Sequence, residues 1–284
     1  MSKQESGVEW TETAYAKINL ALHVRTRNSD GYHELETIFA FLDSGDDVSV
    51  ESDTALKLNL SGPFSSTLNA SDNLVLDAAT LLREHSSTEK GAVINLDKKL
   101  PVASGIGGGS ADAAATLRLL NRFWELDIPL EELVEISTPL GADVPACVLS
   151  QTCMGRGIGQ DLTHLEDQSL NGYYLLLVNP LAPVSTGSVF AAWDGNDLGP
   201  LHGDTALNMA LSGRNDLTLP AIKLEPSIRE TLNTLEDTNS ILSRMSGSGA
   251  TCFALYKNEE QLATARDMVQ HQLPAAWITS GSII

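Results

Sequence analysis

LPVASGIGGGSADAAATL, residues 100–117, sets four glycines (Gly105, Gly107, Gly108 and Gly109) directly ahead of an alanine-rich run. Glycine accepts positive φ and lets successive backbone N–H groups converge on an anion with no Cβ in the way. From residue 110 the pattern turns helical. Ser110 is a suitable cap, and Ala113, Ala114, Leu117, Leu120 and Trp124 recur at helical spacing, which predicts a helix over 110–124. The start of such a helix carries a partial positive charge that favours phosphate. A strand-like run, 92–96, precedes the glycines. Strand, glycine loop and helix in that order point to a phosphate cradle, with a plain flexible loop as the alternative. The loop is not a Walker loop, since no Gly-Lys-Ser/Thr follows. It is not a dinucleotide fingerprint either, since position 110 is Ser.

Toward the N-terminus, AYAKINLALHV, residues 14–24, alternates with period two. Ala16, Ile18, Leu20, Leu22 and Val24 share one face. Lys17, Asn19 and His23 share the other, which reads as solvent-facing, with Lys17 and Asn19 about 7 Å apart. Ser29-Asp30-Gly31 marks a turn, and further strands are predicted over 35–42, 48–52 and 56–60, with a helix over 73–84. Toward the C-terminus a helix is predicted from Pro129 to about Ser137. PLGADVPACV, residues 139–148, then places Asp143 in a turn between apolar runs. A carboxylate there needs a partner, often a lysine, but on this segment alone a simple turn or cap role is the stronger reading. RMSGSGATCFALY, residues 244–256, is a second Gly/Ser loop running into a strand. It reads as a hairpin turn, or as a loop closing over a bound phosphate beside the first. Strands over 173–178, 251–256 and 277–279, a loop-like stretch over 191–204 and a helix over 259–272 give the second half an α+β ending. The polar segment 160–172 marks a boundary, dividing the chain into 1–165 and 166–284.

The 284 residues allow one large or two ordinary domains, and 42% hydrophobic with 19% charged residues is globular composition. A net charge of −19 argues against general nucleic-acid or anionic-membrane binding. Phosphate must then be held by local devices rather than by overall charge. The opening MSKQESGVEW has no apolar leader and no run is long enough for a membrane span, so a cytoplasmic protein is expected. Cys147, Cys153 and Cys252 form no CxxC pair and read as buried thiols.

In order, these segments resemble the GHMP family of small-molecule kinases. AYAKINLALHV with DGYHELET (30–37), the triple-glycine loop, LGADVPACV, GRGIGQDL, VSTGSVF, GRNDL and MSGSGAT carry the resemblance across nearly the whole chain. DGYHE and the triple glycine narrow it to the branch acting on a methylerythritol that bears a cytidine diphosphate group. The resemblance implies an α+β, two-domain fold, with an N-terminal ribosomal-protein-like domain and a C-terminal ferredoxin-like domain around a cleft. It implies an ATP-dependent phosphorylation of a hydroxyl, with Mg2+.

By that resemblance Asp143 is the catalytic base and Lys17 its charged neighbour, with Asn19 orienting one of them. Gly105, Gly107, Gly108, Gly109, Ser110 and Ala111 hold ATP, with Asn73 and Lys98 near its nucleoside. Tyr32, His33 and Phe190 receive the cytosine. The sequence shows no acidic metal cluster, which leaves Mg2+ to ATP phosphates, water and Ser110. Two positions depart from the family pattern: Ala103, where glycine is common, and Gln160, where an acid is common.

Overall fold

The computed structural model describes residues 10–70 and 73–284. The stretch read for a leader lies largely outside them. The framework begins with two long antiparallel strands, β1 (Thr11–Arg27) and β2 (His33–Asp53), paired along nearly their whole length. Three irregularities interrupt their register and bend the ribbon. Along the other edge of β2, its later half pairs with β4 (Gly91–Asp97) and its earlier half with β5 (Cys153–Arg156). β3 (Leu56–Ser61) adds to β4 in parallel, and β6 (Asp161–His164) closes the sheet beyond β5. A second sheet has the order β10–β7–β9–β8, from β7 (Tyr174–Asn179), β8 (Leu242–Met245), β9 (Cys252–Tyr256) and β10 (Trp277–Ser282).

Helices α1 (Leu74–Ser86), α2 (Gly108–Phe123), α3 (Leu130–Ser137) and α4 (Val144–Leu149) cover the outer face of the first sheet. α5 (Thr186–Ala191), α7 (Thr218–Leu224), α8 (Ser227–Glu236) and α9 (Glu259–Gln272) cover that of the second. α6 (Ala206–Ser212) packs at the seam between the sheets. The strand period explains these layers. On β2, Phe39 and Phe41 enter the core under α1–α4, while Ile38, Ala40 and Leu42 enter the core between the sheets. On β7, Leu175 and Leu177 meet that same middle core, whereas Leu176 and Val178 face the C-terminal helices. Central strands buried on both faces read as continuous apolar runs, as these do.

The sheets are also tied through backbone. Leu22 bridges Asn215, and Leu42 bridges Ile283. Among the described residues no helix is long and apolar enough to cross a membrane. Some local expectations are corrected. The runs at 35–42 and 48–52 are one strand, β2. The helix after the glycines starts at Gly108, not Ser110, and its cap is Gly107 in the left-handed region (φ 64°). The polar face of β1 is buried: Lys17, Asn19 and His23 are each 2–3% exposed, because loops from both halves of the chain pack over it.

Candidate active site

The glycine loop is stitched to the C-terminal half. Ser246 Oγ donates to Gly105 O (2.9 Å), and Thr251 N–H donates to Ser104 O (3.0 Å). The approach is so close that a Cβ on Gly105 would lie 2.4 Å from Ser246 O. Gly107 turns the chain into α2, and a Cβ there would lie 2.9 Å from Lys17 Cε. The Ala111 N–H bonds Gly107 O (2.8 Å), as the helix ladder requires. The amides of Gly108, Gly109 and Ser110 have no such acceptor among the described residues, and all three residues line a cavity of about 620 Å³. Unpaired amides at the positive end of a four-turn helix form an anion site.

Lys17 reaches the same cavity from β1. Its Nζ donates to Asn19 Oδ1 (2.9 Å) and pairs with Asp143 Oδ2 (2.9 Å). An ammonium has three donors, so one remains for a ligand. Asn19 is fixed in turn: its Nδ2 donates to Thr37 Oγ1 (2.8 Å), whose hydroxyl donates to Ala21 O (2.6 Å). That chain dictates which end of the amide faces Lys17. Asp143 precedes α4, where an acid would ordinarily cap the helix. Its side chain makes no cap bond and turns to Lys17 instead. The Lys17 side chain is 3% exposed and the Asp143 side chain 37%, so the carboxylate is the partner open to the cavity.

Aromatic residues line the other end. The turn before β2 is held by Asp30 Oδ1, which accepts from Tyr32 N–H (3.0 Å), and it leaves Tyr32 60% exposed. His33 is buried, with its ring 5.0 Å from Phe190 and 5.6 Å, edge-on, from Trp193. Burial, reinforced by the nearby Arg27 guanidinium, lowers the His33 pKa and favours the neutral ring. Tyr32, His33 and Phe190 all line the cavity that holds Lys17, Asp143 and the glycine loop. Thr186, Gly247 and Ser248 line it as well, with Thr186 and Ser248 hydroxyls 2.9 Å apart.

The GHMP kinases N terminal domain family matches residues 73–151, and the GHMP kinases C terminal family matches 201–275. The chain is 48% identical over 273 residues to 4-diphosphocytidyl-2-C-methyl-D-erythritol kinase of Novosphingobium aromaticivorans, covering 96% of this chain and 92% of that protein. It is 49% identical over 277 residues to the kinase of the same name from Rhizorhabdus wittichii, covering 96% and 94%. The chain belongs to the 4-diphosphocytidyl-2-C-methyl-D-erythritol kinase family. A crystal structure of a kinase of this kind superposes with a TM-score of 0.80 at 32% identity, over 96% of this chain and 98% of the other. The α+β GHMP architecture is thus the fold of this chain. A homoserine kinase from Cytophaga hutchinsonii, at 16% identity and a TM-score of 0.75, shares the fold alone.

Within this family framework, three expected nucleotide contacts are placed elsewhere. Lys98 is 1% exposed and lies beneath the loop, not in the cavity. Its Nζ binds Asp46 Oδ2 (2.5 Å) and Asp112 Oδ2 (2.6 Å), so the ammonium and the acid charge it neutralises are buried together. A Cβ on Gly108 would come within 3.1 Å of that Nζ, so the charge lies directly under the first turn of α2. Asn73 caps α1, its Oδ1 accepting from Val75 N–H (3.0 Å), and its neighbour Leu74 is the one that lines the cavity. Ala111 is buried behind Ser110 with its amide in the helix ladder.

The two departures also have local consequences. Ala103 sits at φ 51°, a left-handed conformation that costs an L-residue roughly 1–2 kcal/mol. Glycine would suit that position, so the departure carries a backbone cost. Gln160 Oε1 accepts from Ile158 N–H (2.8 Å), doing with an amide what a carboxylate would do in the same turn. Trp193, Thr186 and Ser248 escaped the sequence reading. A chance to see Thr186 and Ser248 lay in their membership of the VSTGSVF and MSGSGAT segments; Trp193 lies in a loop-like stretch with no pattern.

Proposed function

We propose that this chain transfers the γ-phosphoryl group of ATP to the 2-hydroxyl of 4-diphosphocytidyl-2-C-methyl-D-erythritol, in the non-mevalonate route to isoprenoid precursors. One observation carries most of the weight. A single cavity contains the Lys17–Asp143 pair, the free amides of α2 and the aromatic rings of Tyr32, His33 and Phe190.

The steps follow from those groups. The amides of Gly108, Gly109 and Ser110 hold the ATP phosphates. Tyr32 and Phe190 stack on the cytosine, and His33 reads its polar edge. Asp143 accepts the proton of the substrate hydroxyl as its oxygen bonds to the γ-phosphorus. The bond from that phosphorus to the β–γ bridging oxygen breaks, and ADP leaves with the electron pair. Lys17 keeps Asp143 ionised and compensates charge on the attacking oxygen. Most of the acceleration comes from positioning and from charge stabilisation of the transferring group.

The described residues contain no cluster of three acidic, His or Cys side chains fit for a metal. Mg2+ therefore suits this site as a partner of ATP itself. The Ser110 hydroxyl, which lines the cavity and makes no hydrogen bond to any described residue, is the side chain placed to meet it. When bound there, it would neutralise phosphate charge. The same reading puts the reaction in the cytoplasm, where ATP is the common donor.

A coupled ADP-release assay with the cytidyl substrate, homoserine and mevalonate tests this. Turnover of the cytidyl substrate alone is expected. Equal or better use of either other alcohol would contradict the assignment.

A further inference from the structure

Arg27 ends β1 directly opposite His33, the first residue of β2. Residues facing each other across an antiparallel pair project to the same side. Arg27 accordingly lines the cavity next to His33 and Tyr32. Its charge is felt by the His33 ring. Its side chain makes no hydrogen bond or ion pair with any described residue. Acidic residues outnumber basic ones 37 to 18 in this chain, and nearby arginines have found them. Arg25 holds Glu36 (3.0 Å) and grips Asp197 through two bonds of 2.9 Å, and Arg214 holds Asp216 (2.6 Å). Among the described residues the only other lysine or arginine lining the cavity, Lys17, is already paired with Asp143.

We infer that Arg27 binds the diphosphate of the cytidyl substrate. The inference rests on the cytidyl reading above and adds to it the group that recognises the phosphates. In a cytidine diphosphate the first phosphate is one sugar away from the base. A residue opposite His33 is therefore at the right end of the cavity, whereas the glycine loop and Lys17 stand at the other. A guanidinium presents two parallel N–H groups to phosphate oxygens, and in an unpaired side chain both are available. The acidic surface makes such a local cation the more necessary, because long-range charge repels the substrate.

The test compares cytidine, CMP and CDP as ligands of the wild type, Arg27→Gln and Arg27→Lys, by calorimetry or by competition with the cytidyl substrate. Arg27 is exposed and unpartnered, so the variants should fold, and a urea melt checks this. In the wild type CDP should bind more tightly than cytidine. In Arg27→Gln the CDP affinity should fall about 10-fold or more, as expected for charge-assisted bonds. Cytidine affinity and the KM for ATP should stay unchanged, and Arg27→Lys should recover part of the loss. If cytidine and CDP weaken together, Arg27 supports the base site instead. If neither changes, or if ATP weakens instead, the assignment is wrong while the cytidyl reading stands. Failure of the wild type to bind either cytidine or CDP would overturn both.

Discussion

Asp143 shows how a residue's role depends on what it declines to do. It sits where an acid would cap α4, yet it leaves the cap bond unmade and faces Lys17 at 2.9 Å. Asp143→Asn keeps the shape and an acceptor for Lys17 but cannot take a proton. The expected result is a loss of about 10²–10⁴ in kcat, the usual range for removing a general base. ATP affinity by calorimetry should be nearly unchanged, because the amides of α2 are untouched. A variant that keeps a tenth of wild-type kcat would place the base elsewhere. The amino-acid pattern alone favours a solvated Lys17 and a turn or cap role for Asp143; it is the family resemblance that pairs them with Asn19. The burial of Lys17 and Asn19 is not legible in the sequence. Period-two alternation makes the Lys17 face of β1 polar, but it says nothing of the loops that cover it. Ala103 likewise gives no sign in the sequence of its positive φ.

Among the elements, β4, α2 and the start of β2's second half meet at Lys98. One ammonium serves two buried carboxylates that are unequally held. Asp46 accepts from Lys98 Nζ, from Lys99 N–H (2.5 Å) and from Leu100 N–H (2.7 Å). Asp112 takes one hydrogen bond from Lys98 and lies against the Asp46 carboxylate, and its Oδ1 has no partner among the described residues. Burial, opposed by Lys98 and aided by Asp46, pushes the Asp112 pKa up, which favours its neutral form. Asp112→Asn should therefore change stability by less than about 1 kcal/mol, whereas Asp46→Asn should cost about 3 kcal/mol or more. Urea denaturation measures both, and equal losses would contradict this inequality. It is the family resemblance that suggests Lys98 as a nucleotide contact, and neither carboxylate that holds it is adjacent in sequence to reveal the buried pairing.

A second junction joins β1 to the C-terminal half through His23. Its Nδ1 is 3.1 Å from Gly199 O, and its Nε2 accepts from Arg214 N–H (3.2 Å). Together these bonds require the neutral ring protonated at Nδ1. Burial, with Arg214 adding to it, lowers the His23 pKa below 6.5, while Gly199, Asp216 and Glu36 oppose the shift. Below about pH 6.5 the unfolded chain takes up a proton that the folded chain resists, so stability is lost as pH falls. Urea midpoints at pH 7.5 and 5.5 should differ more for the wild type than for His23→Gln. The same pH loss in both would remove His23 from the account.

On the scale of the whole molecule, two sheets share one core and the cavity opens where their loops meet. The layered α+β plan could be anticipated from strand runs and the glycine loop. The stretch from α5 to α8 could not, since its helices are short and their apolar residues pack against strands distant in sequence. The seam matters for function. Ser246 and Thr251 bond the glycine loop from one side while Lys17 and Asp143 face it from the other. In the proposed reaction ATP and the alcohol meet in this one cavity, with no need for a phosphorylated enzyme. Initial rates with ATP and the cytidyl substrate varied together test this most directly. Intersecting double-reciprocal lines are expected, as direct transfer in a ternary complex requires. Parallel lines would mean that the phosphoryl group rests on the enzyme first, making a protein side chain the nucleophile and contradicting the role given to Asp143.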